Sequence, residues 1–204
     1  MTARTTALAC IAITVAIELA WLLIGHGSLG WITATVVIAI ALTALTAAKY
    51  TPPLRIPRVL IALLLLGSVA DRFGAFGGPG AAGVSWGDYS AFVDYTRTLL
   101  PHFATPLAAV TATTATTLEL GLGIALALGI RTRYTATATA ILLAASTIAM
   151  LTSVGVDDML TYAVPVIAAG AALIAVTADR PPYLRGNRPA SRTLQTSSAP
   201  KVTD

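Results

Sequence analysis

Charge is what this chain has least of. Only 11% of its 204 residues are Asp, Glu, Lys or Arg, where about a quarter is usual for a soluble domain. That scarcity excludes an ordinary water-soluble globule. Cysteine is nearly absent as well. With Cys10 alone, the chain has no internal disulfide, no Cys-x-x-Cys redox pair and no Cys-rich metal cluster. Its two histidines, His26 and His102, fall in predicted loops, so no pair of buried haem ligands exists between helices. The net charge of +4 is scattered over short loops and a tail. No basic face is interleaved with exposed aromatics, which excludes a nucleic-acid surface.

What the chain has in quantity is hydrocarbon. Hydrophobic residues make up 56% of it and the mean hydropathy is +0.79. The apolar residues come in runs of roughly 20, the length that crosses a bilayer core of about 30 Å. The pattern predicts an all-α integral membrane protein with six transmembrane helices, at about 7–25, 31–48, 58–73, 106–130, 134–153 and 159–178. "ALAC" at 7–10 resembles a lipoprotein cleavage box but has almost no apolar stretch before it, so 7–25 is expected to remain as a span. "KYTPPLRIPR" separates the second and third spans, since no helix runs easily through its prolines. Residues 1–50 thus form an N-terminal helical hairpin, 57–178 a four-helix membrane core, and 179–204 a Pro/Ser/Thr-rich tail expected to be a disordered cytoplasmic extension. With the N-terminus placed in the cytoplasm, every Lys and Arg except Arg72 and Arg97 falls on the cytoplasmic side. This is the positive-inside pattern, and it predicts a multi-pass protein of the cell membrane with both termini cytoplasmic.

The loop between spans three and four is the one long connection. Within "SWGDYSAFVDYTRTLLP", Ser85 and Asp88 resemble a capping box with Asp in place of Glu. Trp86, Tyr89, Phe92 or Val93, Thr96 and Leu99 or Leu100 then recur at helical spacing. An amphipathic helix is predicted near 86–100, at the outer surface or folded over the mouth of the bundle. Thr113, Thr117, Gly121, Ala125 and Gly129 form a small-residue stripe on span four, and Ala136, Ala140 and Ala144 form another on span five. Such stripes let helix backbones approach closely in lipid.

Two carboxylates fall near mid-span. A charged side chain facing lipid there costs about 2.5–3.5 kcal/mol on insertion scales, so Glu18 and Glu119 are expected to point inward. For Glu18 the simpler reading is a hydrogen bond between helices. Glu119 is flanked at helical spacing by Ala115, Thr116, Leu122 and Gly123, a small and partly polar surface suited to the floor of a cavity. Span three ends in "DRFGAFGGPG". Arg72 is close enough in depth to bend inward and meet Glu119, directly or through water, with Asp71 on the outer side. The competing reading makes Asp71 and Arg72 a solvated helix end. Asp157 and Asp158 are read as capping span six, with Pro165 kinking it. Tyr162 is read as an interface anchor, and Trp21 and Trp31 as interfacial residues of the first hairpin.

Four segments in this order resemble the DoxX family of small bacterial membrane proteins. They are "ADRFGAFGGPG", "VSWGDYSAFVDYT", "TLELGLGIALALGIRTR" and "DDMLTYAVPV". Arg72, Glu119 and Gly129 with Arg131 match, respectively, a basic residue ending the first family helix, a Glu in the third and a Gly-x-x-x-Arg-like exit. The resemblance covers about 57–178, with the first two spans as an extension. It implies a membrane subunit or anchor in a redox system, with a redox enzyme as partner. The four-helix layout is also similar to thiol-redox membrane proteins of the vitamin K epoxide reductase type, but a core without cysteine excludes that chemistry for this chain alone. Quinone is the cofactor the resemblance allows. The candidate ligand-binding residues are Asp71, Arg72, Trp86, Asp88, Tyr95, Glu119 and Tyr162, with no catalytic or metal-ligating residue and no catalysis by this chain alone. Two other functions compete: a small-molecule or proton-coupled carrier using Glu119, and a structural scaffold in the bilayer.

Overall fold

A computed structural model describes residues 2–49 and 54–178. The predicted tail, 179–204, lies outside the described residues. Those described are all-helical, with no strand among them. The helices are α1 (Ala3–Ile24), α2 (Trp31–Lys49), α3 (Arg55–Arg72), α4 (Tyr89–Leu99), α5 (Ala108–Leu128), α6 (Thr132–Ser153), α7 (Val156–Thr161) and α8 (Val164–Thr177), with a 3₁₀ turn, His102–Leu107, leading into α5. Four stretches are long and apolar enough to cross a membrane: Ala3–Ile24, Trp31–Ala48, His102–Leu128 and Thr132–Ser153. Their outward faces are large aliphatic side chains such as Leu23, Leu45, Leu128 and Ile141, as a helix in lipid requires. These features make the chain a multi-pass membrane protein.

α8 is the centre of the bundle. It is wholly apolar apart from Thr177, and most of its residues are buried. α6 and α1 pack along it most extensively, while α3 and α5 form a second close pair. The hairpin α1–α2 does not stand apart, because Ile11, Val36 and Ile40 share one core with Ile61, Leu65, Leu126, Val166 and Leu173. Hydrocarbon on both sides gives little hydrophobic drive between helices in lipid, so close contact between small residues carries the packing. On α5 the buried stripe is Ala112, Thr116 and Gly123, one step round from the expected one. Thr113, Thr117 and Gly121 face outward instead. The contact partner decides this. A Cβ at Gly123 would stand 2.9 Å from the Leu66 side chain, whereas nothing approaches Gly121.

Three other expectations are corrected. Span six is not one kinked helix from 159. α7 stops, Ala163 turns left-handed at φ 48°, and α8 starts afresh with Pro165 in its first turn. The missing proline N–H is harmless there, because the first N–H groups of a helix have no intrahelical acceptor. The outer helix begins at Tyr89, and its N-cap is Asp88 rather than Ser85. The Asp88 carboxylate accepts from the Ala91 N–H at 2.7 Å, while the Ser85 N–H is committed elsewhere. Glu18, 1% exposed, has no hydrogen-bond partner on either carboxylate oxygen. α8 offers no polar side chain at that depth, and the α2 hydroxyls of Thr35, Thr43 and Thr46 bond their own helix.

The glycine-rich segment after α3 folds back on itself. Gly87, at φ 74°, lies so close over the Gly78–Pro79 peptide that a Cβ would come within 2.4 Å of its backbone. Gly83 has a similar φ of 79° but open space around it. Gly83→Ala is therefore expected to cost about 1 kcal/mol, the left-handed backbone penalty alone. Gly87→Ala should lower stability several-fold more, measured as thermal unfolding in detergent. Equal effects of the two substitutions would count against this fold of the loop.

Candidate functional site

The end of α3 places two adjacent charges on different faces. Successive residues of an α-helix point about 100° apart, so Asp71 and Arg72 reach different structures. Both are buried, at 6% and 2% exposure, which rules out the solvated helix end. Asp71 Oδ2 accepts from the backbone N–H groups of Ser85 (3.1 Å) and Trp86 (3.0 Å). It anchors the far end of the glycine-rich loop and thereby sets where Trp86 sits. Asp71 thus faces the loop side of the ion pair and acts there as an internal loop fastener.

Arg72 turns inward. Its Nη2 donates to Glu119 Oε2 at 2.7 Å and to Ser68 Oγ at 3.2 Å, and its Nη1 donates to Thr116 Oγ1 at 2.8 Å. The guanidinium carbon lies 3.6 Å from the centroid of the Phe92 ring and 5.2 Å from that of Trp86. A planar, delocalised cation suits this combination of hydrogen bonds and ring faces, and an ammonium would not. The pair explains how α3 and α5 tolerate charge inside the bundle, since each supplies the other's counter-ion.

A cavity of about 390 Å³ adjoins the pair, a size typical of small-molecule pockets. Its walls come from α3, α5, α6 and α8 with Thr33 of α2, and α4 roofs it. Arg72, Trp86, Tyr95, Glu119 and Tyr162 all line it. The remainder is largely aliphatic, for example Leu65, Leu143, Val164 and Ile167. Trp86 stacks on Tyr162, with ring planes 8° apart and centroids at 6.3 Å, and sits 6.1 Å from Tyr95. Asp88 does not reach the cavity. Hydrogen bonds from the Ala91 N–H and the Ser90 hydroxyl hold its carboxyl below the usual range and fix the start of α4. Of the seven sequence candidates, five therefore meet in one pocket, and Asp71 and Asp88 build its roof.

Two donors in this wall have no partner: Arg72 Nε and the Tyr95 hydroxyl. Burial pushes the Tyr95 hydroxyl up to about 12, with Tyr162 and Asp158 nearby adding to the effect. Sequence reasoning did not single out Phe92, Ser68 or Thr116 as partners of Arg72. Thr116 was visible as a neighbour of Glu119 at helical spacing. Phe92 looked like one more aromatic on an amphipathic face, and no local signal marks which ring a distant arginine will choose. Comparison of the chain with protein-family models, curated proteins and solved structures finds no match.

Removing one partner of a buried ion pair leaves the other charge stranded. Arg72→Met and Glu119→Leu are each expected to destabilise by about 3–5 kcal/mol, and the double variant by clearly less than their sum. Thermal unfolding in nanodiscs measures this, and additive effects would show that the two side chains do not interact. A second expectation concerns the six tyrosines. In absorbance titration at 295 nm one of them should ionise last, near pH 12, and Tyr95→Phe should remove that step. The folded value lies above the ordinary 10, so stability from the neutral hydroxyl is complete below pH 10 and is lost as pH rises through about 12.

Proposed function

We propose that this chain is a DoxX-like membrane protein that binds a quinone-like ligand beside Arg72 and Glu119. It serves a redox system in the cell membrane as a noncatalytic subunit or anchor. The observation that carries the reading is the cavity itself: an aliphatic chamber with one buried cation, two unpartnered donors and an aromatic wall. Hydrogen-bond donors at one end of an apolar pocket fit a flat ring with carbonyl acceptors, and the Trp86–Tyr162 wall fits its faces.

The same reading assigns six spans. α3 and the broken pair α7–α8 are the two passes added to the four long apolar helices. The charges of α3, namely Arg55, Arg58, Asp71 and Arg72, sit at its ends. α3, α5, α6 and α7–α8 then form the four-helix core over 57–178, with α1–α2 as the extension. The distribution of Lys and Arg supports cytoplasmic termini.

The test is mass spectrometry of the gently solubilised protein, searching for lipid-soluble ligands and for a co-purifying redox enzyme. A quinone is expected with the wild type and much less of it with Tyr95→Phe, which removes a donor and leaves the ion pair intact. Proton-coupled uptake into liposomes that is lost in Glu119→Gln would favour a carrier instead. Neither bound quinone nor uptake would leave a scaffold.

A further inference from the structure

The cavity has a side as well as a roof. α5 and α6 are joined by a tight turn at Gly129–Arg131, yet they touch each other far less than α5 touches α3 or α6 touches α8. Ala115 and Ala145 lie equally far from that turn, about 21 Å along each helix at a rise of 1.5 Å per residue. Both line the cavity. So do Thr111 and Glu119 on the α5 edge, and Leu142 and Ala149 on the α6 edge. Ala145 is the one exposed residue of the lining. The chamber therefore opens sideways, through a slot edged mainly by small side chains.

α4 holds this slot open. At its start the Tyr89 hydroxyl hydrogen-bonds Thr113 Oγ1 of α5 at 2.8 Å, and at its end the Leu99 carbonyl accepts from Ser153 Oγ of α6 at 3.0 Å. The helix thus lies across the top of the gap and is fixed to both sides of it. The faces flanking the gap are apolar and exposed: Leu118 on α5, with Ile141 and Ile148 on α6. Such faces border hydrocarbon, not water.

Resting on the quinone-pocket reading above, we infer that the ligand is a two-part amphipath that arrives from within the bilayer. Its acceptor-bearing ring lies against Arg72 and Tyr95, and its hydrocarbon tail leaves through the α5–α6 slot into lipid. The chamber wall is largely aliphatic and the faces outside the slot are apolar, so a tail passing the small side chains of Ala115, Ala145 and Ala149 meets mainly hydrocarbon. A ligand taken from water through the roof would instead have to displace Trp86 from the loop that Asp71 fastens.

Two probes test this in nanodiscs: 2,3-dimethoxy-5-methyl-1,4-benzoquinone, and the same ring bearing a decyl tail that ends in a diazirine. Photolysis is expected to label 111–119 of α5 and 142–149 of α6. Ala145→Trp fills the slot and should weaken binding of the tailed quinone by about tenfold. It should weaken binding of the tail-less ring several-fold less than that of the tailed quinone. Ala138→Trp, on an exposed part of α6 outside the cavity, should change neither. If Ala145→Trp does not fold, the labelling pattern in the wild type decides alone. Label on α4 or the 73–88 loop, or tailed-quinone binding indifferent to Ala145→Trp, overturns the slot while leaving the pocket in place. Failure of both rings to bind overturns the pocket and the slot together.

Discussion

A buried guanidinium is the constraint around which the α4 end of this molecule is organised. Arg72 cannot remain there alone, because an isolated buried charge costs far more than one helix contact returns. It is met on three sides by Glu119, Thr116 and Ser68, and on a fourth by the face of Phe92. The aliphatic packing around α8 needs no such arrangement. The cavity sits where these two regimes meet, which is why it is apolar over most of its surface and polar at one end.

The roof follows from the same helix end. A loop of six glycines between α3 and α4 would sample many conformations. It is held in one by two N–H groups on a single Asp71 oxygen and by the close crossing of Gly87 over Gly78–Pro79. α4 then starts from its own cap at Asp88 and is tied to α5 and α6 at its two ends. Each fixing is local and inexpensive. Together they set the aromatic wall opposite the guanidinium.

Much of this was legible in the sequence because membranes impose coarse rules. Run length and the scarcity of charge gave the helical membrane architecture. The cost of a mid-span carboxylate pointed Glu119 inward, and helix rise alone placed Arg72 within its reach. What the sequence left open has physical causes. Pro165 pointed to a disturbance near Tyr162, and the helix there is broken outright, at Ala163, because a proline ring is accommodated in the first turn of a new helix but not in the interior of a continuous one. Thr113–Gly129 and Ala112–Gly123 are both plausible small-residue stripes, and only the bulk of Leu66 across the interface selects between them. Capping chemistry was recognised at the start of α4 but assigned three residues early, because Ser85 and Asp88 are both good caps. The Asp71 fastening of the loop decided in favour of Asp88.

The adjacency of positions 71 and 72 has a mechanical consequence. One residue holds the glycine-rich loop and the next holds the ion pair, on a single rigid turn of helix. Any twist or slide of that turn strains both attachments at once.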